Sequence, residues 1–599
     1  MKLFFKALLS VFLVITHTPL LMATVEIRPQ GAPEVVDFLT ARDLELVGSV
    51  NEGNCSVAQA LDKTKTKAGA QLLRSMLVQP LTNQAVIMQR QSAIKALVDN
   101  PALREKMEQL LSYSAVYQDA FTFFNPATTP ESLTAVIQSF LYQTSFLKEW
   151  NESTYALDTR HVSQSFSPLI TAVFEFLVLH YAMEYLQNKY GEDKHSHKHG
   201  HKKEKHKGKK HDHEHGADCG CIHHAHAPAG APNIVKALVH LAKAGHIALH
   251  LISIKDMVEF ISAKMAIMNQ VYQQLSGLQV LIDSADQLQN IQSELGLKNR
   301  LNDDVALMKT VLADGYFSAT NDNQHNLHLF SPVGQTLVTY AAVQQHSEHL
   351  ERIKQSIAQM DVYCSIARLM FDAQDKPATF CFVDFIQADS PQLVMEQGWH
   401  VMLDQAEVVP NNFIATAETA LKFTLTGPNR SGKSSFLRTL GVNVALAQIF
   451  GIAAAKRFSC TIFNKILSFI TITDDLSTGK SSYVARMMRA DGCMQMQKEL
   501  QTGSFALVLL DDSLGQATSV ELGERMAYDF TKEMGASDQN ILVCATHIAK
   551  LTNLAKETKG RFANIRMKIV KNAHGRARET YMLESGLSDA SDAGILVTA

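Results

Sequence analysis

The sequence contains the stretch Gly427-Pro428-Asn429-Arg430-Ser431-Gly432-Lys433-Ser434, which matches the pattern G-x-x-x-x-G-K-[ST]. Leu421-Lys422-Phe423-Thr424-Leu425-Thr426 precedes it as a predicted strand, and Ser435-Phe436-Leu437-Arg438-Thr439-Leu440 follows as a predicted helix. A strand that runs into a glycine turn and then a helix places backbone N–H groups and the positive helix end around one anion. The pattern also occurs by chance, but this context favours a nucleotide site in which Lys433 contacts the outer phosphates and Ser434 binds magnesium.

Length, charge and cysteine content limit the classes of protein to consider. At 599 residues the chain can hold roughly three or four domains. A net charge of −3 excludes a uniformly basic coat, so any nucleic-acid binding must come from local patches. The eight cysteines are scattered, with only Cys219 and Cys221 close together, which is not the pattern of a disulfide framework.

Two further apolar segments are predicted to be buried strands that end in polar side chains. Phe505 to Leu510 leads into Asp511 and Asp512, and Ile541 to Ala545 leads towards His547. In phosphate-loop ATPases a strand-end aspartate supports magnesium and the next acid orients or deprotonates the attacking water. Asp511 fits the first role and Asp512 the second, unless both acids only cap the next helix. Ligands of open α/β sheets bind at the carboxyl ends of strands, so His547 is placed to sense or polarise the terminal phosphate, although an isolated histidine there is more often structural.

The pattern of the sequence divides the chain into regions. Helical periodicity runs through 40–190 and 232–375, and a compositional shift near 376 marks an α/β domain over 376–599. An insertion occupies 191–231 and a signal-like apolar segment occupies 1–23. The predicted fold is therefore multidomain, with an all-α region followed by an α/β phosphate-loop domain.

Two long apolar helices are predicted on either side of the insertion, over Leu169 to Leu186 and Ile234 to Ile254. Their polar residues favour burial in a protein core, and a helical hairpin that touches a membrane is the alternative. These polar residues are Glu175, His180, Glu184, Lys236, His240, Lys243 and His246.

The insertion has an unusual composition. Residues 191–226 hold eleven of the 24 histidines, many lysines and Cys219-Gly220-Cys221. Such a segment cannot bury a core, so we expect a solvated loop. Weak binding of zinc or nickel at several sites is one interpretation, although no spacing matches a closed structural zinc site, and a low-complexity linker is the other.

The N-terminus has the parts of a secretory signal or membrane tether. A basic start over 1–6 and an apolar run over 7–15 precede the small residue Ala23. The run is short for a transmembrane span. A frayed apolar tail or a misplaced start codon would produce the same pattern.

Together these segments resemble the MutS family of DNA mismatch-repair ATPases, an ABC-type branch of the phosphate-loop enzymes. Four motifs occur in the family's order and at about its spacing. Upstream, His400 resembles the histidine of the family's Arg-His-Pro motif, Asn411 resembles the asparagine of its adenine-binding segment, and 61–94 resembles its core domain. The four motifs are Thr426-Gly427-Pro428-Asn429 with Gly432-Lys433-Ser434, Asp474-Asp475-Leu476 with Gly479 and Ser481-Ser482, Asp511-Asp512 after its strand, and Ala545-Thr546-His547.

The resemblance implies an ATP-driven clamp with ATP and Mg²⁺ as cofactors. Two ATPase domains would face each other in a homodimer, and long lever helices would transmit the nucleotide state to DNA. The resemblance implies three groups of site residues: Asp512, His547 and Lys433 in catalysis, Ser434 and Asp511 at magnesium, and Ser481 and Ser482 completing the partner copy's phosphate site. The implied ATP contacts are Gly427, Pro428, Asn429, Arg430, Ser431, Gly432, Lys433, Ser434, Ser435, Asn411 and His400.

The sequence departs from the family's pattern at several positions. About 40 residues precede the core domain, so we expect no mismatch-reading wedge in this chain. Asp512 is one methylene shorter than the family's glutamate, which predicts ATP hydrolysis that is slowed rather than abolished. Arg430 and Ser431 replace the family's Met-Gly, and Arg486 replaces its glutamate.

The resemblance favours a cytoplasmic, ATP-dependent DNA-binding protein that acts as a clamp on structured or mismatched DNA in repair or recombination. The DNA would be held through its backbone, without direct mismatch reading. A membrane-associated or exported scaffold that is switched by nucleotide and does not bind DNA is the alternative. A third interpretation is a nucleotide-binding protein that buffers metal through 191–226.

Overall fold

The computed structural model describes residues 34–48, 55–127, 130–190, 231–297, 301–313, 333–470, 482–515, 519–571 and 577–587. The predicted signal-like segment, nearly all of the insertion and Ser481 lie outside these ranges. The described residues form two compact units. One unit comprises the described parts of 127–275 and 314–345, and the other comprises the remaining described residues.

The first part of the chain is helical, as the periodicity predicts. A 3₁₀ helix covers Ser145–Glu152. The α-helices are α1 (Phe38–Asp43), α2 (Val57–Leu61), α3 (Lys67–Leu77), α4 (Gln84–Asp99), α5 (Pro101–Tyr117), α6 (Asp119–Phe123), α7 (Glu131–Phe140), α8 (Thr154–Tyr190), α9 (Ala231–Glu294), α10 (Asn302–Ala313), α11 (Val333–Gln345) and α12 (Ser347–Asp372).

An α/β domain follows, so the predicted order of a helical region and then an α/β domain is confirmed. Its strands are β1 (Cys381–Phe382), β2 (Asp384–Phe385), β3 (Leu393–Gly398), β4 (Asn411–Ala415), β5 (Lys422–Thr426), β6 (Ile452–Ala453), β7 (Arg457–Cys460), β8 (Lys465–Phe469), β9 (Ala506–Asp511), β10 (Asn540–Ala545), β11 (Phe562–Lys571) and β12 (Ala577–Ser585). Its α-helices are α13 (Lys433–Phe450), α14 (Ser482–Lys498), α15 (Val520–Met534), α16 (Ala549–Thr552) and α17 (Leu554–Glu557), and a 3₁₀ helix covers Ser513–Gly515.

The main sheet has six strands in the order β12-β11-β5-β10-β9-β8. From β11 to β8 the neighbours are parallel, and β12 closes the edge as an antiparallel partner of β11. A four-stranded sheet has the order β2-β7-β3-β4, and β1 pairs with β6. The mixed main sheet places the carboxyl ends of β5, β9 and β10 at one edge.

Helices cover both faces of the main sheet. On one face, α14 and α15 contribute Cys493 and Phe530 to a buried apolar cluster with β8, β9 and β10. On the other face, α13 approaches closely at Gly441, where a Cβ would lie 2.9 Å from a methyl group of Leu509 and 2.6 Å from one of Leu44. Glycine at this position therefore permits α13 to pack against β9 and against the segment that follows α1.

A buried carboxylate joins the start of α3 to α12. Asp361 accepts hydrogen bonds from the backbone N–H of Lys65 at 2.9 Å and from the N–H and hydroxyl of Thr66 at 2.7 Å each. Thr66 in turn caps α3 by accepting from the N–H of Gly69 at 2.9 Å. A Cβ on Gly69 would lie 2.3 Å from an Asp361 oxygen, so the close approach needs glycine.

The two apolar stretches on either side of the insertion lie on α8 and α9, and the expectation that they are buried in a core is wrong. Phe174 and Leu177 on α8 are exposed, as are Leu241 and Ile252 on α9. Among the described helices, the span Thr154–Tyr185 is long and apolar enough to cross a membrane. Only 6 % of its most apolar stretch of 18 residues is buried.

Replacing Asp361 with alanine is expected to lower the free energy of unfolding by about 1–3 kcal/mol, because three donors lose their acceptor in a buried place. Urea denaturation measures this change. Asp372→Ala is the matched control, since that carboxylate lies on the same helix in a partly exposed pair with Arg368 at 2.9 Å. We expect the control to change the free energy by less than about 1 kcal/mol; equal losses in the two variants would contradict the anchoring role.

Candidate functional site

The phosphate-binding loop, residues 427–434, joins β5 to α13. Three of its residues have positive φ angles, namely Gly427 at 155°, Arg430 at 65° and Gly432 at 97°. Gly432 is the residue at which α13 is capped. The left-handed turn is therefore made largely by glycine, while Arg430 adopts a conformation that is unfavourable for a residue with a Cβ.

Lys433 is the first residue of α13, and its ammonium group is held by the loop. Nζ donates hydrogen bonds to the carbonyl oxygens of Gly427 and Pro428, each at 2.8 Å. Burial lowers the pKa of Lys433 to about 8, and the negative charge of Asp512 opposes this shift. The hydroxyl of Ser431 also donates to the Pro428 carbonyl at 2.8 Å. The loop thus gathers a cationic side chain and an exposed helix start in one place.

The two carboxylates after β9 have different surroundings. Asp511 accepts hydrogen bonds on one oxygen from the N–H of Ser513 at 2.9 Å and from the Ser513 hydroxyl. Burial is the main reason that the pKa of Asp511 rises to about 7. Asp512 accepts from the N–H of His547 at 2.6 Å and from the hydroxyl of Thr546 at 3.1 Å. The second acid is therefore tied to the end of β10.

The strand register explains why these residues meet. Ala545, the last residue of β10, is paired with Asp511, the last residue of β9. Desolvation and the positive charge of Lys433 lower the pKa of His547, whereas the charge of Asp512 opposes this effect. Lys433, Asp512 and His547 are thus close enough to interact electrostatically, although they come from three separate parts of the sequence.

Asn411 is the first residue of β4, and its amide group is used by the fold. Its Nδ2 donates to the carbonyl oxygens of Tyr581 at 2.9 Å and Val409 at 3.2 Å, and its Oδ1 accepts from the N–H of Leu583 at 2.6 Å. The side chain joins β4 to β12. A direct bond from this amide to ATP remains a prediction, and the structure shows that the amide positions Tyr581.

Sequence reasoning missed Tyr581. Its ring lies 3.2 Å from the place where a Cβ on Gly432 would be, and its φ angle is 58°. The side chain is half exposed. An aromatic ring against the phosphate-binding loop is a candidate contact for a nucleotide, and the two residues lie too far apart in the sequence for any motif to have revealed it.

His400 lies between β3 and β4 and is buried. Its Nδ1 accepts from the N–H of Met402 at 3.3 Å, and its Nε2 has no hydrogen-bond partner within the described part of the chain. Burial, followed by the positive charge of Arg438, lowers the pKa of His400 to about 4. This histidine is therefore neutral at pH 7, and its contact with ATP stays a prediction.

Several predicted features fall outside the described residues. They include the polar turn 473–481 with Ser481, while Ser482 is the first residue of α14. The histidine-rich residues 191–226 are also outside, so their metal binding stays a prediction. Among the residues that the structure describes, no group of three or more His, Cys, Asp or Glu side chains is arranged to hold a metal ion.

A buried ion pair joins α1 to the α14 helix. Asp43 pairs with Arg489, and the same carboxylate oxygen accepts from the hydroxyl of Ser468 at 2.6 Å and from the N–H of Ile470 at 3.1 Å. Arg489 also donates to the Ser468 carbonyl at 2.9 Å. On the other side, Arg438 of α13 donates to the carbonyl oxygen of Asp43 at 2.8 Å. One short helix therefore contacts both α13 and α14.

Comparison with known sequences assigns the family. The sequence profile of MutS domain III matches residues 39–367, which is the helical region, and that of MutS domain V matches 423–599, which begins in β5. The chain belongs to the MutS family. The resemblance drawn from the motifs is thus confirmed.

The relatives are distant and align over part of their length. The DNA mismatch repair protein MutS of Streptococcus agalactiae is 26% identical over 255 residues, which cover 42% of this chain and 28% of the relative. The DNA mismatch repair protein spellchecker 1 of Drosophila melanogaster is 26% identical over 285 residues, or 47% of this chain and 29% of the relative. For MutS of Rhodopirellula baltica the identity is 28% over 225 residues, or 37% and 24%. The chain thus matches less than a third of the length of these relatives.

The buried pair can be tested by a double-mutant cycle with Asp43→Ala, Arg489→Ala and the double variant. We expect a coupling free energy of about 2 kcal/mol or more, because each single change leaves the other charge in a buried place. Thermal and urea unfolding supply the four stabilities. The exposed pair of Arg525 and Asp529, 3.7 Å apart on α15, is the matched control, with an expected coupling below about 0.5 kcal/mol. Coupling of the same size in both cycles would refute a special role for Asp43.

Proposed function

We propose that this MutS-family chain is an ATPase that binds ATP with Mg²⁺ at the phosphate-binding loop and acts as an ATP-driven clamp on structured or mismatched DNA. The observation that carries the proposal is the meeting of Lys433, Asp512 and His547 at one sheet edge, with Asp511 beside them. This edge combines a cation for phosphate with acids for a metal and for water. Such a combination is what phosphoryl transfer to water requires.

The residues present fit a magnesium ion. Asp511 uses one carboxylate oxygen to accept from Ser513, and burial makes its negative charge unfavourable without a cation. Ser434 and Asp511 would hold the ion, in keeping with the chemistry of serine hydroxyls and carboxylates at such sites. Magnesium supplies charge neutralisation at the phosphates.

Lys433 and Asp512 would share the work of binding and hydrolysis. The Lys433 ammonium group would exchange its bonds to two loop carbonyls for bonds to the phosphates. Asp512, fixed by the N–H of His547 and the hydroxyl of Thr546, would orient the attacking water. The short side chain of Asp512 keeps its carboxylate near the sheet edge, which supports slow hydrolysis.

Tyr581 would lie against the nucleotide outside the phosphates. Its ring is beside Gly432, and Asn411 holds the backbone that follows it, at the Tyr581 carbonyl and the Leu583 N–H. A flat, half-exposed aromatic ring offers a stacking surface for a base. In this proposal Asn411 acts on the nucleotide through the position of Tyr581.

DNA and a second copy of the chain are the proposed partners. The relatives that match are named as DNA mismatch repair proteins. Because the net charge of this chain is −3, its contacts with the DNA backbone would come from local patches. Ser481 and Ser482 of one copy would complete the phosphate site of the other. The need for ATP and DNA favours a cytoplasmic site of action in repair or recombination.

The main test is ATP turnover by the full chain with and without branched DNA. We expect DNA to stimulate turnover and Lys433→Ala to abolish it, since that change removes the cation from the loop. DNA affinity should fall steeply with salt if the backbone is the main contact. ATP binding without turnover and without any response to DNA would contradict the clamp and favour a nucleotide-switched scaffold.

The role of Asp512 is tested by changing the length and charge of its side chain. Asp512→Glu is expected to raise kcat several-fold, because the added methylene extends the carboxylate beyond the sheet edge. Asp512→Asn, which keeps the length and removes the charge, should lose turnover and still bind Mg-ATP. Single-turnover kinetics separate the two steps. If Asp512→Asn hydrolyses ATP as fast as the native chain, Asp512 does not orient the water.

The affinity for Mg-ATP should be highest between about pH 7 and 8. Below about pH 7 Asp511 takes up a proton that competes with magnesium, and above about pH 8 Lys433 loses the charge that holds phosphate. Each limb should approach a tenfold loss of affinity per pH unit. Titration with a fluorescent ATP analogue over pH 6 to 9.5 measures the profile. Asp511→Asn should remove the acidic limb alone, and an acidic limb that persists in this variant would assign it to another group.

A further inference from the structure

The strongest feature that the ATPase site does not explain is an apolar hairpin, defined as residues 170–185 of α8 and 238–258 of α9. The two helices contact each other, since the ring of Phe176 on α8 stacks with that of His246 on α9 at 6.4 Å. This contact places the ring of His246 at the helix-to-helix interface.

Fifteen large apolar side chains in the described part of the hairpin are exposed, alongside the exposed polar residues Glu175, His180, Glu184, His240, Lys255 and Asp256. These apolar side chains are at least 40 % exposed, although they belong to residue types that are usually buried. On α8 they are Ile170, Val173, Phe174, Phe176, Leu177, Val178, Tyr181 and Tyr185, and on α9 they are Leu238, Leu241, Ile247, Leu249, Leu251, Ile252 and Val258.

Neither ordinary explanation of an apolar helix applies. A core helix of a soluble protein is mostly buried, whereas 6 % of the most apolar stretch of Thr154–Tyr185 is buried. A signal sequence lies near the N-terminus, whereas these helices lie in the middle of the chain. The exposed apolar side chains also come from both helices of the hairpin and are more numerous than the scattered apolar residues of a soluble surface.

The directions of the exposed side chains identify what covers them. On α8, Ile170, Phe174 and Tyr181 lie on one face at helical spacing. On α9, Ile247 and Leu249 are both exposed, although they point about 200° apart around the helix. A single partner helix covers one stripe, while hydrocarbon surrounds a helix.

The low number of charged residues in the hairpin and the length of its helices fit the hydrocarbon core of a bilayer. Residues 170–185 contain two charged residues, Glu175 and Glu184, and residues 238–258 contain three, Lys243 and, near the end of the range, Lys255 and Asp256. At about 1.5 Å per residue the hairpin is roughly 22–30 Å long, close to the thickness of a bilayer core.

We infer that the apolar hairpin inserts into the hydrocarbon core of a lipid bilayer. This membrane attachment is independent of the proposed ATPase and DNA functions. At the contact between α8 and α9 the imidazole of His246 lies against the ring of Phe176, so this polar side chain is placed between the helices, where polar groups inside membranes are accommodated. The apolar side chains that face away from this contact lie against lipid.

Flotation of the full chain with vesicles tests the inference. The vesicles contain phosphatidylcholine alone or with phosphatidylserine. We expect the native chain to float with both, and the double variant Phe174→Lys, Leu177→Lys to lose at least about tenfold in vesicle partitioning, since lysine in hydrocarbon is strongly unfavourable. Val116→Lys with Val520→Lys, which changes two exposed valines outside the hairpin, is the matched control and should float like the native chain.

Three outcomes would overturn the inference. The first is that the chain floats only with the vesicles that contain phosphatidylserine and that the Phe174→Lys, Leu177→Lys variant floats equally well. That result would show attraction to the membrane surface without insertion. The second is that the chain does not float but self-associates, and that the two lysines abolish this self-association. A second copy of the chain would then be what covers the hairpin. The third is that the chain neither floats nor self-associates, which would show that the hairpin does not contact lipid.

A conservative variant keeps the test valid where the lysine variant does not fold. Phe174→Trp retains an aromatic side chain and adds a tryptophan inside the hairpin. The emission of this tryptophan, obtained by subtracting the emission of the native chain, should shift to shorter wavelength when vesicles are added. Brominated acyl chains should quench it. Added fluorescence in the Phe174→Trp variant that neither shifts nor is quenched would contradict insertion.

Discussion

The candidate site depends on the burial of three parallel strands, β5, β9 and β10. Every residue of these strands is buried except Asp511 at the edge. A slip by one residue would move every side chain of a strand to the opposite face of the sheet, against different neighbours, so Ala545 stays opposite Asp511. This fixed register sets the position of Asp512 and His547 relative to the loop that follows β5.

The same burial gives the site its chemistry. The charged forms of Lys433 and Asp511 have opposite signs. Burial lowers the pKa of Lys433 to about 8 and raises the pKa of Asp511 to about 7. Each charged form is therefore less favourable here than in water. Phosphate near Lys433 and a divalent cation near Asp511 would restore both charged forms, so binding of the two ligands would reinforce each other.

The helical region contributes to the α/β domain through α1. Asp43 pairs with Arg489 on α14, its carbonyl oxygen accepts from Arg438 on α13, and Leu44 packs where Gly441 leaves space. Because α13 begins at the phosphate-binding loop and α14 begins at Ser482, one short segment is bonded to both helices. A movement of either helix would break hydrogen bonds in a buried place, which makes α1 a mechanical link between the two.

The sequence by itself determined the local features: the loop between β5 and α13, the carboxylates that end β9, and the order of a helical region and an α/β domain. Each of these follows from neighbouring residues, through periodicity and turn chemistry. Only the tertiary structure placed Tyr581 against Gly432, occupied the amide of Asn411 with backbone bonds, and left the apolar faces of α8 and α9 exposed. The polar residues in those helices predicted burial in a core, yet burial depends on whether a distant part of the chain covers the surface. That is decided by packing between elements far apart in sequence, which local pattern does not encode.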